Sequence, residues 1–116
     1  MPLVRLEIAK TFPDGATKDC FLVAVSKQVA AITGKPEQYV MVTLSPAQLC
    51  MAGKPDDGAF VDVRGIGGLT PEVNRKLAKA LCDLLHEELG LAPARVYLNF
   101  TDVAADNWGW NGGTFG

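Results

Sequence analysis

Apolar and polar residues follow two different periods along this chain, and these periods predict strands and helices respectively. Apolar residues alternate with polar ones from Val4 to Ile8, which predicts a strand within Leu3–Ile8 with one buried face. Three further segments are rich in β-branched and aromatic residues, which favour strands. These segments are Tyr39–Leu44, Ala59–Arg64 and Ala94–Phe100.

Two longer segments carry apolar residues at helical spacing, and each predicts one amphipathic helix. The first helix is predicted from about Thr17 to Thr33, followed by Gly34 as a left-handed C-terminal cap. The second is predicted to begin at Thr70-Pro71-Glu72, because Thr is a good N-cap and Pro suits the first helical position. It is predicted to end at Gly90.

The segments between these elements predict turns and loops. Phe12-Pro13-Asp14-Gly15 is typical of a turn, and Gly53–Gly58 predicts a loop. The segment from Ser45 to Met51 predicts a short turn or helix around Pro46.

The two halves of the chain repeat the same order of elements. The same sequence offset separates Gly34 from Gly90 and Val40 from Val96. The chain therefore predicts two tandem βαβ units, each with a right-handed crossover. The predicted fold is α/β (α+β), with a four-stranded mixed sheet and two antiparallel helices on one of its faces. The length of 116 residues fits a single domain, residues 1–116.

The second face of the predicted sheet is expected to carry apolar residues that must also be buried. Several residues indicate strands that are apolar on both sides, whereas two helices can cover only one side. Oligomerisation is the simplest way to cover the other side. The residues concerned are Val42, Val63, Val96 and Leu98.

The C-terminal segment from Asn107 to Phe115 is rich in glycine and aromatic residues. Its aromatic side chains, those of Trp108, Trp110 and Phe115, are too hydrophobic for a free tail. We expect short strands here that pack against a neighbouring subunit or line a pocket. A lid folded over the same chain is the alternative.

Composition narrows the classes of function. A net charge of −2 and a pI of about 5.3 argue against a nucleic-acid partner. No apolar run approaches the ~20 residues of a membrane span, and no signal peptide is recognisable. Cys20, Cys50 and Cys82 form no C-x-x-C pair, and a single His argues against a metal site. Reduced thiols predict a cytoplasmic protein, with export without a signal peptide as the alternative.

Pro2 is the first candidate for chemistry. Removal of Met1 would give Pro2 a free secondary amine on a rigid ring. Such an amine accepts a proton near neutral pH when burial or a nearby cation lowers its pKa. The alternative is a proline that only begins a strand, where its missing N–H costs nothing.

A series of short motifs spans essentially the whole chain in one order. They are Met1-Pro2, Thr33-Gly34-Lys35-Pro36 followed by Tyr39, Gly65-Ile66-Gly67, Asn74-Arg75, Leu81-Cys82-Asp83-Leu84-Leu85, Arg95–Phe100, Gly109-Trp110-Asn111 and Thr114-Phe115. In these motifs the chain resembles the macrophage migration inhibitory factor and D-dopachrome tautomerase family of the tautomerase superfamily. The resemblance implies the tandem βαβ fold and a homotrimer with one active site at each subunit interface.

The resemblance also implies an activity and a set of site residues. The processed Pro2 would be the general base of a cofactor-free keto–enol tautomerase that acts on small aromatic 2-keto acids. The ammonium of Lys35 would lower the pKa of the Pro2 amine and attract the substrate carboxylate. The other implied contacts are the backbone of Ile66, Tyr97 and Asn99 of a neighbouring subunit, and aromatic walls made by Tyr39, Trp110 and Phe115.

The chain departs from the family pattern at several positions. Trp108 stands where a small aliphatic residue is usual, so we expect it to reshape the substrate pocket. Glu37 adds negative charge near Lys35, which would weaken the binding of anionic substrates. Gly58–Val61 occupies the region of the family's C-x-x-C motif, so we expect no thiol oxidoreductase activity.

Three functions therefore remain at this point. The first is a tautomerase acting on phenylpyruvate-like or dopachrome-like compounds. The second is a cytokine-like signalling protein with a vestigial pocket. The third is another activity based on the same proline, such as decarboxylation or hydration.

Overall fold

In the computed structural model, which describes residues 1–116, a mixed four-stranded sheet carries two helices on one face. The helices are α1 (Gly15–Thr33) and α2 (Pro71–Leu89). In chain order, the strands are β1 (Leu3–Ala9), β2 (Met41–Pro46), β3 (Cys50–Met51), β4 (Lys54–Pro55), β5 (Gly58–Gly65), β6 (Val96–Asp102), β7 (Gly109–Trp110) and β8 (Gly113–Thr114).

The strand order of the main sheet is β2-β1-β5-β6. β1 and β2 are parallel, as are β5 and β6, so each pair is the product of one βαβ crossover. The two units meet in the middle of the sheet, where β1 and β5 are antiparallel and Leu3 lies opposite Arg64. The predicted tandem arrangement is confirmed, because every long strand and both helices occur in the expected order.

The hydrophobic core lies between the helices and one face of the sheet. Every second residue of β1, from Val4 to Ile8, is buried against it, as the alternating pattern predicted. α1 contributes Phe21, Val25 and Val29, which recur at helical spacing. α2 contributes Leu77, Leu81, Leu85 and Leu89 in the same way.

The expectation of strands that are apolar on both sides is wrong. The register aligns Val63 with Val4 and with Phe100, so these side chains share the face that packs against the helices. Val42, Val96 and Leu98 belong to the same core. The opposite face carries Arg5, Glu7, Asp62 and Arg64, which are linked by ion pairs. A mainly polar face does not require an apolar cover, so the argument for oligomerisation from sheet hydrophobicity fails.

The helix ends follow their capping residues. α1 begins at Gly15, two positions before the predicted start, because the carboxylate of Asp14 accepts a hydrogen bond of 2.6 Å from the Thr17 N–H. Thr70 caps α2 in the same manner through the Val73 N–H. Both helices end at the predicted glycines in the left-handed conformation. Neither helix is long and apolar enough to cross a membrane.

The segment between β2 and β5 contains a small hairpin instead of the predicted helix and open loop. β2 continues to Pro46, and β3 pairs with β4 across a turn at Ala52-Gly53. The guanidinium of Arg95 holds this hairpin by donating to three carbonyl oxygens at 2.9 to 3.0 Å. The acceptors belong to Met51, Lys54 and Asp57.

The C-terminal segment forms the expected short strands, but they pair with each other. β7 and β8 make an antiparallel hairpin around Asn111-Gly112, both of which have positive φ. This conformation suits a tight two-residue hairpin turn. The N–H of Phe115 donates to the carbonyl oxygen of Trp108 at 3.1 Å, which closes the hairpin.

Candidate active site

Pro2 is buried immediately before β1 and lines a cavity of about 310 Å³. Its carbonyl oxygen accepts a hydrogen bond of 3.1 Å from the N–H of Met41, which ties it to the start of β2. The cavity walls come from both ends of the chain and from the segment before β2. The lining residues are Met1, Pro2, Leu3, Gln38, Tyr39, Val40, Met41, Trp108, Gly109, Trp110 and Phe115.

Three aromatic side chains form one wall of this cavity. Trp110 and Phe115 project from the two arms of the C-terminal hairpin and stack, with ring centroids 5.8 Å apart. Tyr39 meets them edge-on, at 5.5 Å from Trp110 and 6.5 Å from Phe115. Edge-to-face and stacked contacts of this kind are favourable, so the hairpin is held against its own chain. The wall presents aromatic surface on which a planar substrate can stack.

Lys35 is fixed by the glycine-rich loop that follows β5. Its ammonium donates to the carbonyl oxygen of Ile66 and, at 2.9 Å, to that of Gly67. Gly68 has a φ of +81°, and a Cβ at this position would lie 3.2 Å from Lys35 Cε. The close approach of the lysine therefore favours glycine at this position. The carbonyl dipoles orient the ammonium without neutralising its charge.

The N-terminal amine has a pKa below its ordinary value of 8.0. Burial is the main cause, because it disfavours the charged form, and the positive charge of Lys35 lowers the pKa further. This amine belongs to Met1, so the nitrogen of Pro2 is an amide and not a base in the chain that begins at Met1. The environment that lowers the pKa is nevertheless built around the first two residues.

The structure brings most of the predicted site residues together. Pro2, Tyr39, Trp108, Trp110 and Phe115 all line the cavity. Lys35 contacts the N-terminal amine and Ile66. Lys35 and Ile66 therefore lie beside the cavity, although neither of them lines it.

Tyr97 and Asn99 lie elsewhere on the chain. They are on the edge strand β6, on the face of the sheet that the helices leave open. The Tyr97 side chain is exposed to 67% and Asn99 accepts a hydrogen bond of 3.2 Å from Thr101. Neither residue lines the Pro2 cavity of its own chain.

The lining residues that sequence reasoning missed include Gln38, Val40 and Met41. Their position beside Tyr39 in the sequence was a signal that could have indicated them. They reach the cavity because β2 lies parallel to β1. Glu37 was expected to act on Lys35, but its carboxylate makes a different contact in the structure. The Glu37 carboxylate accepts a hydrogen bond of 3.0 Å from Ser26 on α1.

The fold and the cavity define a small tandem-βαβ protein with a pocket at its N-terminus. Comparison with known proteins identifies the group to which it belongs. The family model described as macrophage migration inhibitory factor matches residues 1–116. The chain belongs to the macrophage migration inhibitory factor family, within the tautomerase superfamily.

Individual relatives agree with this assignment. The rat macrophage migration inhibitory factor is 40% identical over 104 residues, covering 89% of this chain and 90% of the relative. A homologue from Brugia malayi is 36% identical over 110 residues, covering 94% of this chain and 96% of the relative.

Solved structures show the same fold. The macrophage migration inhibitory factor homologue from Prochlorococcus marinus superimposes with a TM-score of 0.91 at 32% identity, covering 98% of this chain and 99% of that one. A protein solved after inactivation by 2-oxo-3-pentynoate superimposes with a TM-score of 0.84 at 25% identity, covering 96% and 93% of the two chains.

Proposed function

We propose that this protein, once Met1 is removed, is a keto–enol tautomerase that uses the Pro2 amine as its general base. The substrates are phenylpyruvate-like 2-keto acids, with dopachrome-like compounds as a second group. The reaction requires no cofactor. The observation that carries the proposal is the lowered pKa of an N-terminal amine that is partly buried beside Lys35 in an aromatic cavity.

The chemistry needs an amine that is neutral at working pH and rigidly held. The Pro2 nitrogen takes a proton from the carbon next to the substrate carbonyl, and the electron pair of that C–H bond moves to form an enolate. The same proton then returns to the enolate oxygen, which gives the enol and regenerates the neutral amine. General-base catalysis of this kind contributes about 10²-fold to 10⁴-fold to a rate.

The surroundings of Pro2 fit an aromatic 2-keto acid. The ammonium of Lys35 attracts the substrate carboxylate and keeps the amine deprotonated. Tyr39, Trp110 and Phe115 offer rings for the aromatic part of the substrate. The relative inactivated by 2-oxo-3-pentynoate supports the proposal, because that compound is itself a 2-keto acid.

We further propose that the site is completed by a second copy of the chain in a homotrimer. Tyr97 and Asn99 are exposed on an edge strand, where they are accessible to a neighbouring Pro2 cavity. Their hydroxyl and amide groups would supply the polar contacts that the apolar cavity lacks. A stable monomer in sedimentation at micromolar concentration would contradict this part of the proposal.

The test is phenylpyruvate enolisation followed by absorbance, with the wild type and Pro2→Gly both lacking Met1. Pro2→Gly keeps an N-terminal amine but loses the rigid ring, and we expect its kcat/KM to fall by about tenfold or more. A wild type without activity above buffer, or a Pro2→Gly variant with full activity, would contradict the proposal. In the first case, the signalling alternative would be favoured.

The same two proteins provide a second readout. The alkyne of 2-oxo-3-pentynoate is conjugated with its carbonyl, so a neutral amine can add to it. We expect one inhibitor molecule to be attached to wild type at the Pro2 nitrogen, as located by peptide mass spectrometry. Attachment at a lysine or cysteine instead would contradict the role of Pro2.

A further inference from the structure

A second cavity lies beside the Pro2 cavity, on the sheet face that the helices do not cover. We call it the Arg64 cavity. It has a volume of about 260 Å³ and is lined by Leu3, Arg64, Val103, Asn107, Trp108 and Gly109. Leu3, Trp108 and Gly109 also line the Pro2 cavity, so the two spaces adjoin each other.

The register of the sheet brings Arg64 close to the reacting end of the chain. Arg64 on β5 is the pairing partner of Leu3 on β1, and Leu3 directly follows Pro2. Because paired residues project to the same face of a sheet, the side chains of Leu3 and Arg64 point to the same side. The guanidinium of Arg64 therefore supplies positive charge to a cavity that is also lined by Leu3, the residue next to Pro2.

Part of the Arg64 guanidinium is already in use. Asp62 accepts hydrogen bonds from its Nε at 3.3 Å and from its Nη2 at 3.2 Å. The Asp62 carboxylate also lies 3.4 Å from Nη2 of Arg5, so one buried carboxylate is shared by two guanidinium groups. Glu7 lies 3.9 Å from Arg5 and balances the second positive charge, but of these four residues only Arg64 lines the cavity.

The rest of the guanidinium is free to bind a ligand. A guanidinium carries five N–H donors, and Asp62 occupies the edge formed by Nε and Nη2. The edge formed by Nη1 and the second Nη2 hydrogen remains, on a side chain that is 50% exposed. This edge matches a carboxylate, which it binds through two parallel hydrogen bonds.

We propose that Arg64 binds a second anionic group of the substrate. The inference rests on the proposed function, which fixes the 2-keto acid end at Pro2 and Lys35. The far end of the substrate then passes Trp108 and enters the Arg64 cavity. The preferred substrates are accordingly 2-keto acids that carry a second carboxylate at the end remote from the keto group.

The test compares phenylpyruvate with 4-carboxyphenylpyruvate, which has the same ring and one more carboxylate. Dissociation constants are measured by calorimetry, and kcat/KM by absorbance, on chains that begin at Pro2. We expect wild type to bind the dicarboxylate about tenfold more tightly or better, as hydrogen bonds to a charged group allow. Arg64→Gln should abolish this preference, and Arg64→Lys should restore only part of it because an ammonium lacks the planar fork.

Arg5→Gln is the matched control. It also removes one guanidinium from Asp62, but Arg5 does not line the Arg64 cavity. We expect Arg5→Gln to keep the wild-type preference, and thermal unfolding of both Gln variants checks that they fold. A preference that is absent in wild type, persists in Arg64→Gln, or is lost equally in Arg5→Gln would overturn the proposal.

Binding and turnover separate this inference from the proposed function. A preference that depends on Arg64 in binding, without turnover of either compound, would support the Arg64 site and contradict the tautomerase. Turnover of phenylpyruvate without any preference for the dicarboxylate would support the tautomerase and overturn the Arg64 site. Failure of wild type to bind either compound would overturn both.

Discussion

The ammonium of Lys35 lies 2.9 Å from the carbonyl oxygen of Gly67, a residue 32 positions further along the chain. This contact, with a second one to the Ile66 carbonyl, fixes a positive charge beside the N-terminal amine. Because carbonyl groups are dipoles and not anions, the charge remains available. It lowers the pKa of the amine and can attract an anionic substrate.

The first prediction concerns Lys35→Gln in the chain that begins at Pro2. Without the ammonium the pKa of the Pro2 amine rises, so less of it is neutral at a given pH. We expect the acid limb of the kcat/KM profile to move to higher pH than in wild type. We also expect KM for phenylpyruvate to rise roughly tenfold.

Two variants serve as controls for Lys35→Gln. Lys35→Arg keeps the positive charge and should shift the pH profile less. Lys27→Gln removes an exposed lysine on α1 and should leave both the profile and KM unchanged. An unaltered profile in Lys35→Gln would show that the ammonium does not set the pKa of the base.

The second prediction concerns Trp108→Val. Trp108 lines both the Pro2 cavity and the Arg64 cavity, so a smaller side chain leaves more room between the two spaces. We expect kcat/KM for 2-naphthylpyruvate to increase relative to that for phenylpyruvate. Phe12→Leu, which changes an aromatic residue outside both cavities, should not alter the ratio. Equal ratios in wild type and Trp108→Val would mean that Trp108 does not limit substrate size.

The third prediction concerns the buried carboxylate of Asp62. It is 6% exposed and forms ion pairs with two guanidinium groups, which would lose their shared partner in Asp62→Ala. We expect the free energy of unfolding in urea to fall by about 1–3 kcal/mol. Glu7→Ala breaks only an exposed pair at 3.9 Å and should cost about 0.5 kcal/mol or less. Similar losses in the two variants would contradict the buried role of Asp62.

The fourth prediction concerns Arg95, which donates to three carbonyl oxygens of the β3–β4 hairpin and the loop after it. Arg95→Met removes these donors, and we expect faster amide hydrogen exchange in residues 50–57 than in wild type. Arg75→Met, on the exposed side of α2, is the control. Unchanged exchange in Arg95→Met would show that the hairpin is stable without the guanidinium.

The long elements of the fold were predictable because their periodicity extends over many residues. α1, α2 and the four main strands are long enough that one residue that departs from the pattern does not obscure it. The β3–β4 hairpin was not predictable in this way, because each strand has two residues and Arg95 from a distant segment holds them. Adjacent strand residues such as Val63 and Arg64 point to opposite faces, but the neighbours that each one meets depend on the register of the sheet.

The candidate site was predictable in part for a similar reason. Pro2, Lys35 and the aromatic residues stand in motifs that can be recognised without coordinates. Met41 and Gln38 have no such motif, and they reach the cavity only because β2 runs beside β1. The partners of Asp62 also depend on which residues share the open sheet face.

The most direct test of the central claim compares two forms of the same sequence, with and without Met1. In the longer form the Pro2 nitrogen is an amide, and in the shorter form it is an amine in the same cavity. Intact mass confirms each form, and phenylpyruvate enolisation is then measured under identical conditions. We predict activity only in the form that begins at Pro2. Equal activity of the two forms would contradict the assignment of Pro2 as the base.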